Sequence, residues 1–125
     1  MQKAGGVITG GSDAPVETRD PRPFINIARA LTRSMPGGQV LNPDERIGIR
    51  DALEAYTING AHMLGIDADA GSLEVGKSAD FIVLDQDVLK LAADGRAADI
   101  EKTKVVQTWF RGTLVFSAAT APPSH

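Results

Sequence analysis

The chain has no cysteine and only two histidines, His62 and His125. The first absence excludes disulfides and thiolate chemistry. The second leaves few imidazoles for metal binding, and a catalytic zinc site takes about three protein ligands and one open position. No apolar run approaches the roughly 18 residues of a membrane-spanning helix. The first eleven residues carry one lysine and several glycines, without the apolar stretch of a secretory signal. Excess positive charge is also missing. A formal net charge of -3 and a pI near 5.3 speak against a nucleic-acid partner. Length sets a further bound, because 125 residues are one domain's worth of chain, well short of the roughly 250 of a (β/α)8 barrel. No internal repeat is present. The composition, 42% hydrophobic, is ordinary for a soluble globular chain, and the lack of cysteine fits a cytoplasmic protein.

What is there begins with Val7-Ile8-Thr9-Gly10-Gly11-Ser12-Asp13-Ala14-Pro15. Residues 7–10 are apolar and β-branched and stop at two glycines, the pattern of a short buried strand. A carboxylate follows at Asp13. In α/β folds the end of a parallel strand is where catalytic and metal-binding groups collect. Residues 13–23 read as a loop with Pro15, Pro21 and Pro23 and alternating charges. Phe24, Ile27, Ala28 and Leu31 then recur at helical spacing and predict an amphipathic helix over 24–34, closed by Pro36-Gly37-Gly38.

The next helix carries a strong start signal. Asn42 suits the N-cap, Pro43 the first helical position, and Glu45 the third residue of a capping box. The helix is expected to run with Ile47, Ile49, Ala52, Leu53 and Tyr56 largely inward, and a second to cover 58–64 and end at Gly65. Beyond it the period changes. Residues 71–77 are turn-rich, and 79–85 predict a strand with Phe81, Ile82, Val83 and Leu84 as core positions. Residues 86–103 read as a polar connection with room for one short helix. Residues 105–110 and 113–116 predict two strands joined by a tight turn at Arg111-Gly112, and 117–125 a disordered tail. An α/β opening and a β-rich close suggest pieces of two domains, the end of a larger enzyme.

Four blocks carry a resemblance. They are Gly11-Ser12-Asp13-Ala14-Pro15-Val16, Leu41-Asn42-Pro43-Asp44-Glu45-Arg46, Ala55-Tyr56-Thr57-Ile58-Asn59-Gly60-Ala61, and the run from Gly71-Ser72-Leu73-Glu74-Val75-Gly76-Lys77 through Asp85. In this order they resemble the C-terminal end of the amidohydrolase superfamily, nearest to the branch called amidohydrolase family 3 with its N-substituted formamide deformylase-like enzymes. The resemblance implies an α/β fold. This chain would supply the last strand-helix unit of a metal-dependent hydrolase TIM barrel and the C-terminal part of the flanking small β-sandwich. It is incomplete as a stand-alone fold. On this basis 1–64 close the barrel, 65–118 belong to the sandwich, and 119–125 are a disordered tail.

The resemblance also implies chemistry. Family members hold one or two divalent metals, usually zinc. Their ligands are a His-x-His pair, a lysine or acidic residue, two single histidines and an aspartate after the eighth strand. By motif position Asp13 matches that aspartate, as metal ligand and catalytic proton shuttle; Ser12 beside it either holds the carboxylate through its hydroxyl or simply forms the turn. A metal lowers the pKa of bound water from 15.7 toward about 7, and a carboxylate can take the proton and pass it to a leaving nitrogen. Gly10 and Gly11 would let the backbone approach the site closely. The remaining ligands have no match here, so the isolated chain is expected to hold no metal and to be inactive. The expected substrate of the parent enzyme is a small-molecule amide.

Other candidates have plainer readings. His62 fits a helix-packing or satisfied polar residue, Tyr56 and Trp109 core and sandwich packing, Gly71 and Gly76 turns, and Lys77 a solvated charge. The 71–85 block lacks the arrangement of a phosphate loop. With its partner strands missing, the chain is expected to self-associate through exposed barrel or sandwich edges, covering Phe24, Ile27 and Leu31. The competing function is a non-catalytic assembly or binding module that complements another chain.

Overall fold

The computed structural model describes residues 5–12, 21–35 and 37–119. It is a mixed α/β chain with a small three-stranded antiparallel sheet, in the order β1 (Phe81–Leu84), β2 (Val105–Phe110), β3 (Thr113–Ser117). Helix α1 spans Pro23–Thr32 and starts on a proline, whose missing N–H costs nothing in a first turn. Phe24, Ile27 and Ala28 face inward as their spacing predicts. The helix stops when Arg33 turns left-handed, at φ 56°, with its N–H on the Arg29 carbonyl. Pro36, one part of the expected stop signal, lies outside the described residues.

The core is one cluster: Phe24, Ile27 and Ala28 of α1, Ala52 of α2 (Ile49–Ala55), Val88 and Leu91 of α4 (Val88–Ala93), and Ile100. Ile100 is fully enclosed, on a 3-10 segment spanning Ala97–Lys102. This corrects two expectations. Residues 86–103 are no mere polar link, since they form α4 and the 3-10 segment and contribute three core side chains. The inward face of α1 is not left open for a partner either, because those same side chains cover Phe24 and Ile27. Asp87 caps α4, its Oδ1 accepting the Lys90 N–H at 2.9 Å. Gln86 Nε2 donates to Thr103 Oγ1 at 2.7 Å, which satisfies the buried threonine.

The capping box at Asn42 does not form. Asn42 sits at φ 45° with no side-chain cap bond, and only a short 3-10 turn, Pro43–Glu45, follows. An N-cap needs extended backbone, which a left-handed residue does not offer. The chain is instead drawn along α1, where Ile47 N–H donates to the Ala30 carbonyl at 3.3 Å and Arg46 Nε to the Thr32 carbonyl at 3.1 Å. The α-helix therefore begins at Ile49, after Gly48. Helix α3 (Ile58–Leu64) matches its expected bounds and closes at Gly65 with φ 70°.

In the sheet, Phe81 pairs with Trp109 and Thr108 with Phe116. The Phe81 and Trp109 rings stack at 5.6 Å and 11°. Arg111 and Gly112 adopt φ 50° and 73°, the double left-handed turn that matches strand twist. The strand expected over 79–85 forms only at its centre, and its middle residues are not core. Ile82 is 46% exposed and Val83 38%, because neither face of this small sheet is fully covered in the chain. No helix among the described residues is long and apolar enough to cross a membrane. The disorder expected from 117 onward is corrected at its start, since Ser117 ends β3 and the Ala118 N–H donates to the Val106 carbonyl at 2.9 Å; residues 120–125 of the expected tail lie outside the described residues.

Candidate functional site

Among the described residues, 7–10 form no strand, contrary to their β-branched sequence. A strand needs a ladder partner for its backbone groups, and here residues 8–10 find theirs on helices. Helix α2 ends at Ala55 and α3 begins at Ile58, with Tyr56 and Thr57 between. A helix end leaves carbonyls without an intrahelical partner, and that of Ala55 accepts the Gly10 N–H at 2.8 Å. One helical turn on, Asn59 Nδ2 donates to the Ile8 carbonyl at 3.0 Å. The Tyr56 ring lies against Gly10, where an added Cβ would fall 2.4 Å from the ring. Asn26 Nδ2 on α1 donates to the Tyr56 hydroxyl oxygen at 3.3 Å. Thr9 Oγ1 also reaches Met63 Sδ at 3.8 Å.

The close approach that Gly10 makes is to the Tyr56 ring. Gly11 has open space around it. Asp13 itself lies outside the described residues. Ser12, two residues beyond Gly10, is half-buried. Asn59, Asn26 and Tyr56 as holders of this segment escape a sequence reading. The only signal was an asparagine within a helix, a residue type that often uses its side chain on nearby backbone.

The other named candidates fall elsewhere. His62 is a surface residue, its side chain 72% exposed, with Nδ1 3.4 Å from Asp67 Oδ2. That contact draws the Asp67 carboxyl below its usual range. Trp109 packs on Phe81 and donates from Nε1 to Gln107 Oε1 at 3.1 Å, a structural role. Lys77 is not a free solvated charge. Its ammonium lies 2.9 Å from Glu74 Oε2 and 2.8 Å from Ser72 Oγ, bracing the 71–77 turn with the side chain only 15% exposed. Gly71 and Gly76 take φ 92° and 94°, as turn residues should.

Among the described residues, no three histidine, aspartate or glutamate side chains gather into a set that could hold a metal ion. The described part of the chain therefore does not fit a metal centre by itself. What it offers is a backbone segment tied to the α2–α3 junction by two hydrogen bonds.

The architecture gives the fold first. The chain superposes over 93% of its length on a part of an amidohydrolase crystal structure from Thermotoga maritima MSB8, with a TM-score of 0.66 at 24% identity and 24% of that chain covered. It shares that protein's fold. Sequence then gives the family. The family model described as "Amidohydrolase family" matches residues 1–116, and the chain belongs to that family. It is 34% identical over 114 residues to N-substituted formamide deformylase of Arthrobacter pascens, covering 91% of this chain and 20% of that protein. It is 32% identical over 112 residues to 5-methylthioadenosine/S-adenosylhomocysteine deaminase of Thermoanaerobacter pseudethanolicus, covering 81% of this chain and 25% of that enzyme. A shorter match, 48% identical over 63 residues, joins it to imidazolonepropionase of Syntrophobacter fumaroxidans, covering 48% of this chain and 14% of that protein. The chain thus spans a fifth to a quarter of the two relatives that match most of its length.

Proposed function

We propose that this chain is the C-terminal part of a metal-dependent amidohydrolase that hydrolyses a non-peptide C–N bond, an amide or formamide, in a small molecule. The observation that carries the reading is the 34% identity over 91% of the chain to N-substituted formamide deformylase. Deformylase and deaminase both name the breaking of a bond to nitrogen. Residues 1–64 are assigned to the end of the barrel and 65–118 to the sandwich. Cytoplasmic location belongs to the same reading.

Asp13 is the residue of this chain assigned to the chemistry. Its carboxylate would act as a metal ligand, take a proton and deliver it to the leaving nitrogen, while Ser12 orients it. A carboxylate suits both tasks because it is a hard oxygen donor and a base on a short side chain. One or two zinc ions would supply activated water. On this reading further ligands would come from other parts of the protein, and the 125-residue chain alone would be inactive.

The test is turnover of an N-substituted formamide by the full-length protein. Asp13→Asn should remove nearly all of it with the fold intact, and wild-type rates in that variant would refute the assignment. A second reading, a non-catalytic assembly module, draws on the exposed apolar residues of the sheet, Ile82, Val115 and Phe116. It is favoured over the first if the chain forms a defined oligomer and the full-length protein hydrolyses no amide.

A further inference from the structure

We draw no further inference here: the strongest candidate, the surface cleft between α1 and the 3-10 segment that Arg29, Ser34 and Glu101 line, carries no proposal because nothing in the structure shows what covers it.

Discussion

Replacing Ile100 by alanine tests whether the two halves of this chain share one core. Ile100 is the most enclosed side chain described, with no exposed surface, and it sits among Phe24, Ile27 and Ala28 of α1 and Val88 and Leu91 of α4. Truncation removes three carbon groups, each contributing about 0.8 kcal/mol of transfer free energy. The cavity left behind adds to this, since α1 is anchored by several neighbours and cannot collapse onto alanine. The sum falls at about 3–4 kcal/mol, within the usual 2–5 kcal/mol for such changes. A small domain has only about 5–15 kcal/mol in total, so the loss should be plain. Urea unfolding of the 125-residue chain reads it as a fall in midpoint at constant slope. Ile100→Val should cost about 0.5–1.5 kcal/mol by the same reasoning. An Ile100→Ala cost below about 1 kcal/mol would refute the claim that the 3-10 segment closes the core over α1.

Three further outcomes are expected. Gly71→Ala should destabilise by about 2 kcal/mol or more, because Gly71 has φ 92° and the new Cβ would stand 2.6 Å from that of Ala61 and 3.1 Å from Ile58 Cα; a thermal melt checks it. Asp80→Ala should cost about 1 kcal/mol by removing the carboxylate that accepts the Arg111 N–H at 2.7 Å and fixes the β2–β3 turn, seen as faster amide exchange at Arg111. The Asp99 carboxyl is drawn below its ordinary 3.8 by hydrogen bonds from Lys102 and then Arg96, and that of Glu74 below 4.5 by Lys77 and Ser72. Depressed acid values mean stability present above those ordinary values and lost as pH falls through the lower folded ones. Melting temperature should therefore hold near neutral pH and drop in the acid limb, less steeply in Asp99→Asn; an acid limb of unchanged steepness in that variant would count against the role given to Asp99.

Much of the local structure was legible in the chain. The spacing of Phe24, Ile27 and Ala28 located α1, the 58–64 helix and its Gly65 stop formed as expected, and Arg111-Gly112 made the hairpin. The four sequence blocks also pointed to the amidohydrolase family, which the family match over residues 1–116 shows. These signals act within a few residues, through helical period, steric freedom and short hydrogen bonds, so they survive whatever surrounds them. Fold-level details of barrel and sandwich rest on the resemblance.

Tertiary structure decided the rest, where distant partners outweighed local preference. Asn42 carried a capping signal, yet the pull of α1 on Arg46 and Ile47 set the chain extended and delayed the helix to Ile49. Ile100 stood in a polar, alanine-rich stretch and became the most buried side chain. Residues 7–10 had a strand's composition, but a strand is a property of two segments, and here Ala55 and Asn59 supplied the hydrogen bonds a neighbouring strand would have made. Which backbone groups meet is set by packing across 40 or more residues of sequence, and no pattern within the segment itself encodes it.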